Sequence, residues 1–285
     1  STKEMKEVVL RYCRETLAKN EPEVGFKEKI EEKKQVVQNL LSLSNGSFKP
    51  NLKTFLNNVK KFKLSRKKSY DFLTKAGKGF QQSIFKACQR MFVEEKFPLN
   101  FSYTTLHMIF KGKGRRDILP NNRFIHCKDW LPRAAEGLVV EDGLKEPLIA
   151  GSSMYQIGGQ PGHRPEELVF VLKSIIALYK LRRKMMITSF FDVSKFFDKE
   201  MIEDGVLVCL KRGADPKAVR LWYKLNQDTE IEVRLPGIGV SGRENVGAVV
   251  GQGTIGGALV SQAVLDDGAM EHFPPGGELQ LEYGS

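Results

Sequence analysis

Phe190-Phe191-Asp192-Val193-Ser194-Lys195-Phe196-Phe197-Asp198 joins the end of an apolar run to a carboxylate and then to the start of a helical pattern. The run over residues 185–191 predicts a buried β-strand, and residues 195–211 predict a helix. A carboxylate delivered by the end of a strand is held by the sheet, and it can grip a divalent ion where a flexible loop could not. The same placement suits Asp192 as the cap of the following helix. This stretch alone does not choose between a metal ligand and a cap.

Outward from it lie further patterned segments. Towards the C-terminus, residues 215–226 predict a helix. Glu230–Leu235 and Glu244–Val250 flank Pro236-Gly237-Ile238-Gly239 as a hairpin. Gly251-Gln252-Gly253-Thr254 then precedes a small-residue helix over 254–265. Glycines there admit a backbone close to a ligand, or they make a face for helix packing. A short strand, Leu279–Tyr283, is predicted after Gly276-Gly277. Towards the N-terminus, Gly158-Gly159-Gln160-Pro161-Gly162 is a permissive loop. Pro165-Glu166-Glu167 after it reads as a first helical turn, with acids at the positive end of the dipole. The helix continues over Leu168–Leu181. Thr104–Lys111 and Arg123–Cys127 read as a hairpin whose flexible tip is Gly112-Lys113-Gly114-Arg115-Arg116. Helices are predicted over 3–19, 27–43, 51–62, 78–96 and 129–139.

Charge is polarised along the 285 residues. Residues 1–100 hold 22 basic and 11 acidic side chains, residues 101–134 hold 7 and 2, and residues 135–285 hold 16 and 21. The densest cluster is Lys60, Lys61, Lys63, Arg66, Lys67 and Lys68, and a second is Lys111, Lys113, Arg115 and Arg116. A one-sided basic surface is what a polyphosphate partner requires, because each neutralised phosphate releases counterions. A solvated helix face explains any single run equally well, and the 60–68 cluster also fits a nuclear import signal.

Composition excludes several classes. No run of about 18 apolar residues exists, so no membrane helix is expected. Cys13, Cys88, Cys127 and Cys209 lie far apart without a CxxC pair, which points to a reducing, intracellular compartment, nuclear or cytoplasmic. Adjacent His126 and Cys127 have the wrong spacing for a shared zinc site. The opening STKEMKEVVLRYC has no initiator Met and no apolar signal core, and it reads as a piece of something longer.

In order, basic hairpin, Gly-rich loop and helix, Asp strand, hairpin and Gln-Gly helix, the chain resembles a reverse transcriptase over roughly residues 70–265. The likeness is to the non-LTR retroelement and group II intron side of that superfamily. His107-Met108-Ile109-Phe110-Lys111-Gly112-Lys113-Gly114 with Arg123-Phe124-Ile125 is similar to the fingers hairpin that grips triphosphate. Phe191–Asp198 is similar to motif A, and Val246–Ser261 to motif B, without the usual Pro after Gln-Gly.

The resemblance implies an α+β fold: right-hand polymerase fingers (69–184) and a partial palm (185–285), with a helical basic N-terminal extension (1–68). It implies RNA-directed DNA polymerisation by two Mg²⁺ ions, with Mn²⁺ as an alternative, on an RNA template and DNA primer with deoxyribonucleoside triphosphates. Asp192 and the Val193 carbonyl would bind metal, and Phe197 would be the steric gate against a ribose 2′-OH. Gln252 and Gly253 would lie against nucleotide and template, and Lys111 and Arg123, with Lys113 competing, would contact the triphosphate. Lys60, Lys61, Lys63, Arg66, Lys67, Lys68, Arg115 and Arg116 would hold nucleic acid.

The family's motif C, an Asp-Asp turn after a strand, has no match. Asp266-Asp267 is the sole Asp-Asp and lies at the end of the predicted helix without a preceding strand, so it is rejected for that role. The expectation is therefore an incomplete polymerase region, inactive by itself. The competing expectation is a catalytically inactive nucleic-acid-binding module derived from a retroelement. A related RNA-synthesising palm fits less well, because RNA synthesis must admit the 2′-OH that Phe197 would exclude. The oligomeric state is left open.

Overall fold

The computed structural model describes residues 2–17, 24–61, 75–154, 156–158, 160, 162–190, 193, 196–247 and 250–272. Alternating apolar residues build its sheet. Strands β1 (Tyr103–Phe110) and β2 (Asn122–Lys128) pair antiparallel, with Leu106 opposite His126 and Ile109 opposite Arg123. Strand β3 (Thr229–Leu235) runs parallel to β1, and β4 (Gly239–Gly247) returns antiparallel to β3. The order is β2-β1-β3-β4, a four-stranded mixed sheet in a mixed α/β fold.

Successive side chains of a strand point to opposite faces. Leu106, Ile231, Val233 and Leu235 thus share one face, where Val9 and Cys13 of helix α1 (Thr2–Leu17) close over them. Thr105, His107, Glu232 and Arg234 fall on the other face, which is polar.

A second core is helical. It gathers residues from α2 (Val24–Leu43), α3 (Leu52–Lys61), α4 (Lys78–Glu94), α5 (Trp130–Val139) and α6 (Lys145–Ala150). Beyond these come α7 (Pro165–Leu181), α8 (Phe196–Lys199), α9 (Ile202–Lys211), α10 (Pro216–Asn226) and α11 (Gly257–His272). Helix α10 is its hub. Trp222, Leu221 and Leu225 are fully enclosed. Arg220 donates to the Leu41 and Ser44 carbonyls and to Glu95, at 2.6, 3.1 and 2.8 Å. A wide π-helical turn, Val140–Leu144, links α5 to α6. It carries Asp142 to the start of α3, where the carboxylate accepts from Asn51 N and Thr54 Oγ1 at 2.8 and 2.7 Å. The two cores are tied by Lys128 at the end of β2. Its ammonium is buried and donates to Leu225 O and Asn226 Oδ1 at 3.0 and 2.8 Å, with Glu136 at 3.3 Å.

Several expectations change: β4 starts at Gly239 and not at Glu244, and α11 spans Gly257–His272 and not 254–265. Residues 184–190 form no strand, and Met185, Ile187 and Phe190 are 85%, 77% and 82% exposed. A strand needs a neighbour for its backbone groups, and residues 184–190 pair with no strand of the sheet. The helix predicted over 195–211 is two helices, because Met201 adopts an extended conformation between α8 and α9. Helix α7 forms as expected, with Glu167 accepting from Arg164 N at 3.1 Å, yet none of its residues is buried. Among the described residues no helix is long and apolar enough to cross a membrane. The predicted strand Leu279–Tyr283 lies outside the described residues.

Asp215 caps α10, accepting from Lys217 N and Ala218 N at 2.9 and 3.1 Å, and it also binds Ser47 N at 2.7 Å. Asp215→Ala is expected to cost about 2 kcal/mol, read as a lowered urea midpoint with an unchanged denaturant slope.

Candidate functional site

The Gly-rich run before α11 docks on β2. His126 N donates to Gln252 O at 2.8 Å, so the loop adds itself to the sheet's edge. Gly251 has to be glycine for this approach, since a Cβ there would stand 2.5 Å from the His126 ring. Gly253 adopts φ +103°, and a Cβ would meet Ile125 Cγ2 at 2.7 Å. Further along, a Cβ at Gly256 would meet Trp222 Nε1 at 2.7 Å. The run thus divides its work: Gly251 and Gly253 seat the loop, and Gly256 lets α11 pack on α10.

His126 is fully enclosed, and burial, aided by the Lys128 charge, pushes its pKa down to about 3. It is a neutral wedge under the loop and offers no charge to a phosphate. Sequence reasoning misses its role, because no local signal marks an enclosed imidazole.

The basic hairpin is ordered at its tip. Asn121 Nδ2 donates to Arg115 O at 2.8 Å, and Asn122 Nδ2 donates to Arg116 O and Ile118 O at 3.0 and 2.9 Å. The tip expected to be flexible is therefore tied by two amides. Lys111 Nζ donates to Pro120 O at 2.7 Å, and Arg115 pairs with Asp117 at 2.5 Å. Lys113, Arg116 and Arg123 are exposed. Arg123 lies three residues from His126, so the hairpin and the Gln252–Gly253 loop meet along one strand.

Asp192 lies outside the described residues, as do Lys63, Arg66, Lys67, Lys68 and parts of the 158–162 loop. Lys60 and Lys61 end α3. Val193 is exposed, and Phe197 sits half-buried on α8, its ring edge-on to Phe196 at 5.8 Å. Asp266 and Asp267 stand on α11 and are bound by Arg212 at 2.9 and 2.6 Å. Burial raises Asp267, but hydrogen bonds from Lys211 and Arg212 outweigh it and hold the carboxyl below its usual range. Asp266 also accepts from Ser153 N at 2.8 Å. This pair is engaged by cations of the fold itself. Among the described residues no group of three His, Cys, Asp or Glu could hold a metal. One carboxylate and one carbonyl do not by themselves make a two-ion cage.

A further group carries no mark in the sequence. Glu200, directly after α8, is buried, and the Ser261 hydroxyl of α11 donates to its Oε2. Burial pushes the Glu200 carboxyl up to about 8, with the Ser261 hydrogen bond opposing and the Asp204 charge adding to the rise.

No protein-family model and no curated protein matches the chain.

Gly251→Ala is expected to destabilise by about 1–3 kcal/mol through overpacking against His126 and to raise amide exchange at residues 250–256 before that of β3. Glu200 favours the protonated form in the fold. Its stabilisation is therefore complete below pH 4.5 and is lost as pH rises through about 8. Urea midpoints across that window should fall for the wild type and fall less for Glu200→Gln.

Proposed function

We propose that this chain is a fingers and palm region of an RNA-directed DNA polymerase that holds an RNA template, a DNA primer and a deoxyribonucleoside triphosphate. The observation that carries the reading is the His126 N to Gln252 O bond. It brings a basic hairpin and a Gln-Gly loop, parts that the resemblance assigns to one nucleotide, onto the same strand. The mixed α/β fold and the positive N-terminal half agree with the reading.

In this reading Lys113 and Arg123, exposed on the hairpin, offset triphosphate charge. Gln252 and Gly253 present backbone to the base and template, anchored from below by His126. The Phe197 ring meets the sugar at its 2′ position. Divalent ions, Mg²⁺ or Mn²⁺, would activate the primer hydroxyl and stabilise the α-phosphate, and Asp192 with the Val193 carbonyl are the residues assigned to them. Lys60–Lys68 and the hairpin's Arg115 and Arg116 supply phosphate contacts along the nucleic acid.

Binding of a labelled RNA–DNA primer–template by the chain should weaken steeply with salt. Replacing Arg115 and Arg116 by Gln should lower the log–log slope by about 0.7–0.9 for each phosphate that is no longer neutralised. Helix α1 covers the sheet, so charge neutralisation, not truncation, is the clean variant. A salt-independent affinity would remove the phosphate-binding reading.

With primer–template bound, a fluorescent dNTP in Mg²⁺ should bind about tenfold more weakly to Arg123→Ala, which removes one charge-assisted hydrogen bond. Asp192→Asn should weaken it likewise. Nucleic acid bound without any dNTP response would overturn the polymerase reading in favour of an inactive nucleic-acid-binding module.

A further inference from the structure

We propose that Glu200 and Ser261 form a latch that fixes the Phe197 turn relative to the helix that follows the Gln252–Gly253 loop; what the positioning serves rests on the polymerase reading above. Neither residue touches substrate in this assignment. Both act through the segments they join.

Glu200 is joined through its backbone to the turn that carries Phe197. Its backbone N donates to Phe196 O at 2.9 Å and closes the single turn of α8. Ser261 is linked to the loop in the same manner. Thr254 N and Oγ1 both donate to Gly251 O, at 3.2 and 2.9 Å, and Val260 N donates to Gly256 O at 2.9 Å. A nearly continuous series of hydrogen bonds thus runs from β2 through Gln252 into α11. The Ser261 hydroxyl bond to Glu200 Oε2 carries that series across to α8.

Burial strengthens the case. Glu200 is 7% exposed and Ser261 1%, so water does not compete for the bond. Glu200 Oε1 meets no hydrogen-bond partner among the described residues. A carboxyl enclosed in this way costs stability that an apolar side chain of similar volume would not. A group that serves only to fill space would not need the carboxyl. Gly205 of α9 and Val260 of α11 approach closely beside it, where a Cβ on Gly205 would stand 2.6 Å from Val260 Cγ1. The two helices are thus closely packed beside the latch.

The test uses the whole 285-residue chain. Amide exchange is followed at residues 196–201 and 250–262 in wild type, Ser261→Ala, Ser261→Thr, Glu200→Gln and the Glu200→Gln/Ser261→Ala double variant. Ser261→Ala should speed exchange in both segments together by about tenfold while β3 and β4 stay protected. Ser261→Thr, which keeps the hydroxyl, should restore wild-type exchange, and so should Glu200→Gln, whose amide oxygen still accepts. The double variant should be no worse than Ser261→Ala alone. In parallel, the ratio of dNTP to rNTP affinity on bound primer–template should fall for Ser261→Ala and recover in Ser261→Thr, with primer–template affinity unchanged. Exchange that rises in one segment only, or a Ser261→Thr variant that exchanges as fast as Ser261→Ala, would overturn the latch. Coupled exchange with an unchanged sugar ratio would overturn its positioning role. Coupled exchange with no nucleotide bound by any variant would sustain the latch and overturn the polymerase reading instead.

Discussion

One backbone hydrogen bond organises the region of interest: His126 N to Gln252 O. It exists because Gly251 has no side chain to strike the imidazole beneath it. The imidazole in turn can sit there because burial keeps it neutral, with its pKa pushed down to about 3. A charged histidine in that enclosure would need a partner, and its Nε2 has none among the described residues. The loop, the outer edge of β2 and the start of α11 all follow from this contact.

Buried polar groups perform the joining elsewhere in the molecule. Lys128 crosses from the sheet to the helical core, and Arg212 gathers α11, the end of α6 and the Ser152 turn. Each such group is costly to enclose, and each is satisfied by carbonyls and carboxylates at defined angles. Apolar contacts alone would let α9, α10 and α11 settle in several registers. The charged donors admit one. Arg220 and Asp215 extend the same logic to the N-terminal helices, which share the core with residues far along the chain.

Electrostatics and order meet at the hairpin. Its positive side chains are held out by a tip that Asn121 and Asn122 stiffen. A stiff tip loses less conformational freedom when it closes on a charged partner than a loose one does. Lys111 and Arg115 are engaged within the hairpin, which leaves Lys113, Arg116 and Arg123 facing solvent. A net positive field on the hairpin favours the approach of polyanions at low salt.

The local pattern of residues determined the element types. Alternation marked β1, β2 and β3 to within a residue or two, and turn residues marked the Pro236–Gly239 hairpin. These signals are carried by neighbours in the chain, so they are legible without the fold. The absence of a strand before Asp266 and Asp267 was equally legible, although the helix runs past them to His272 and beyond its expected end at 265. Residues 185–190 mislead for a physical reason: an apolar run looks the same whether or not a neighbour pairs with it. Glu200 and His126 carried no mark either, since a buried acid and a buried histidine read like surface ones. Which glycine seats the loop, which lysine faces solvent and which acid is enclosed depended on surfaces distant in sequence. Tertiary structure decided these, because burial and pairing belong to the surfaces that meet and not to the residues alone.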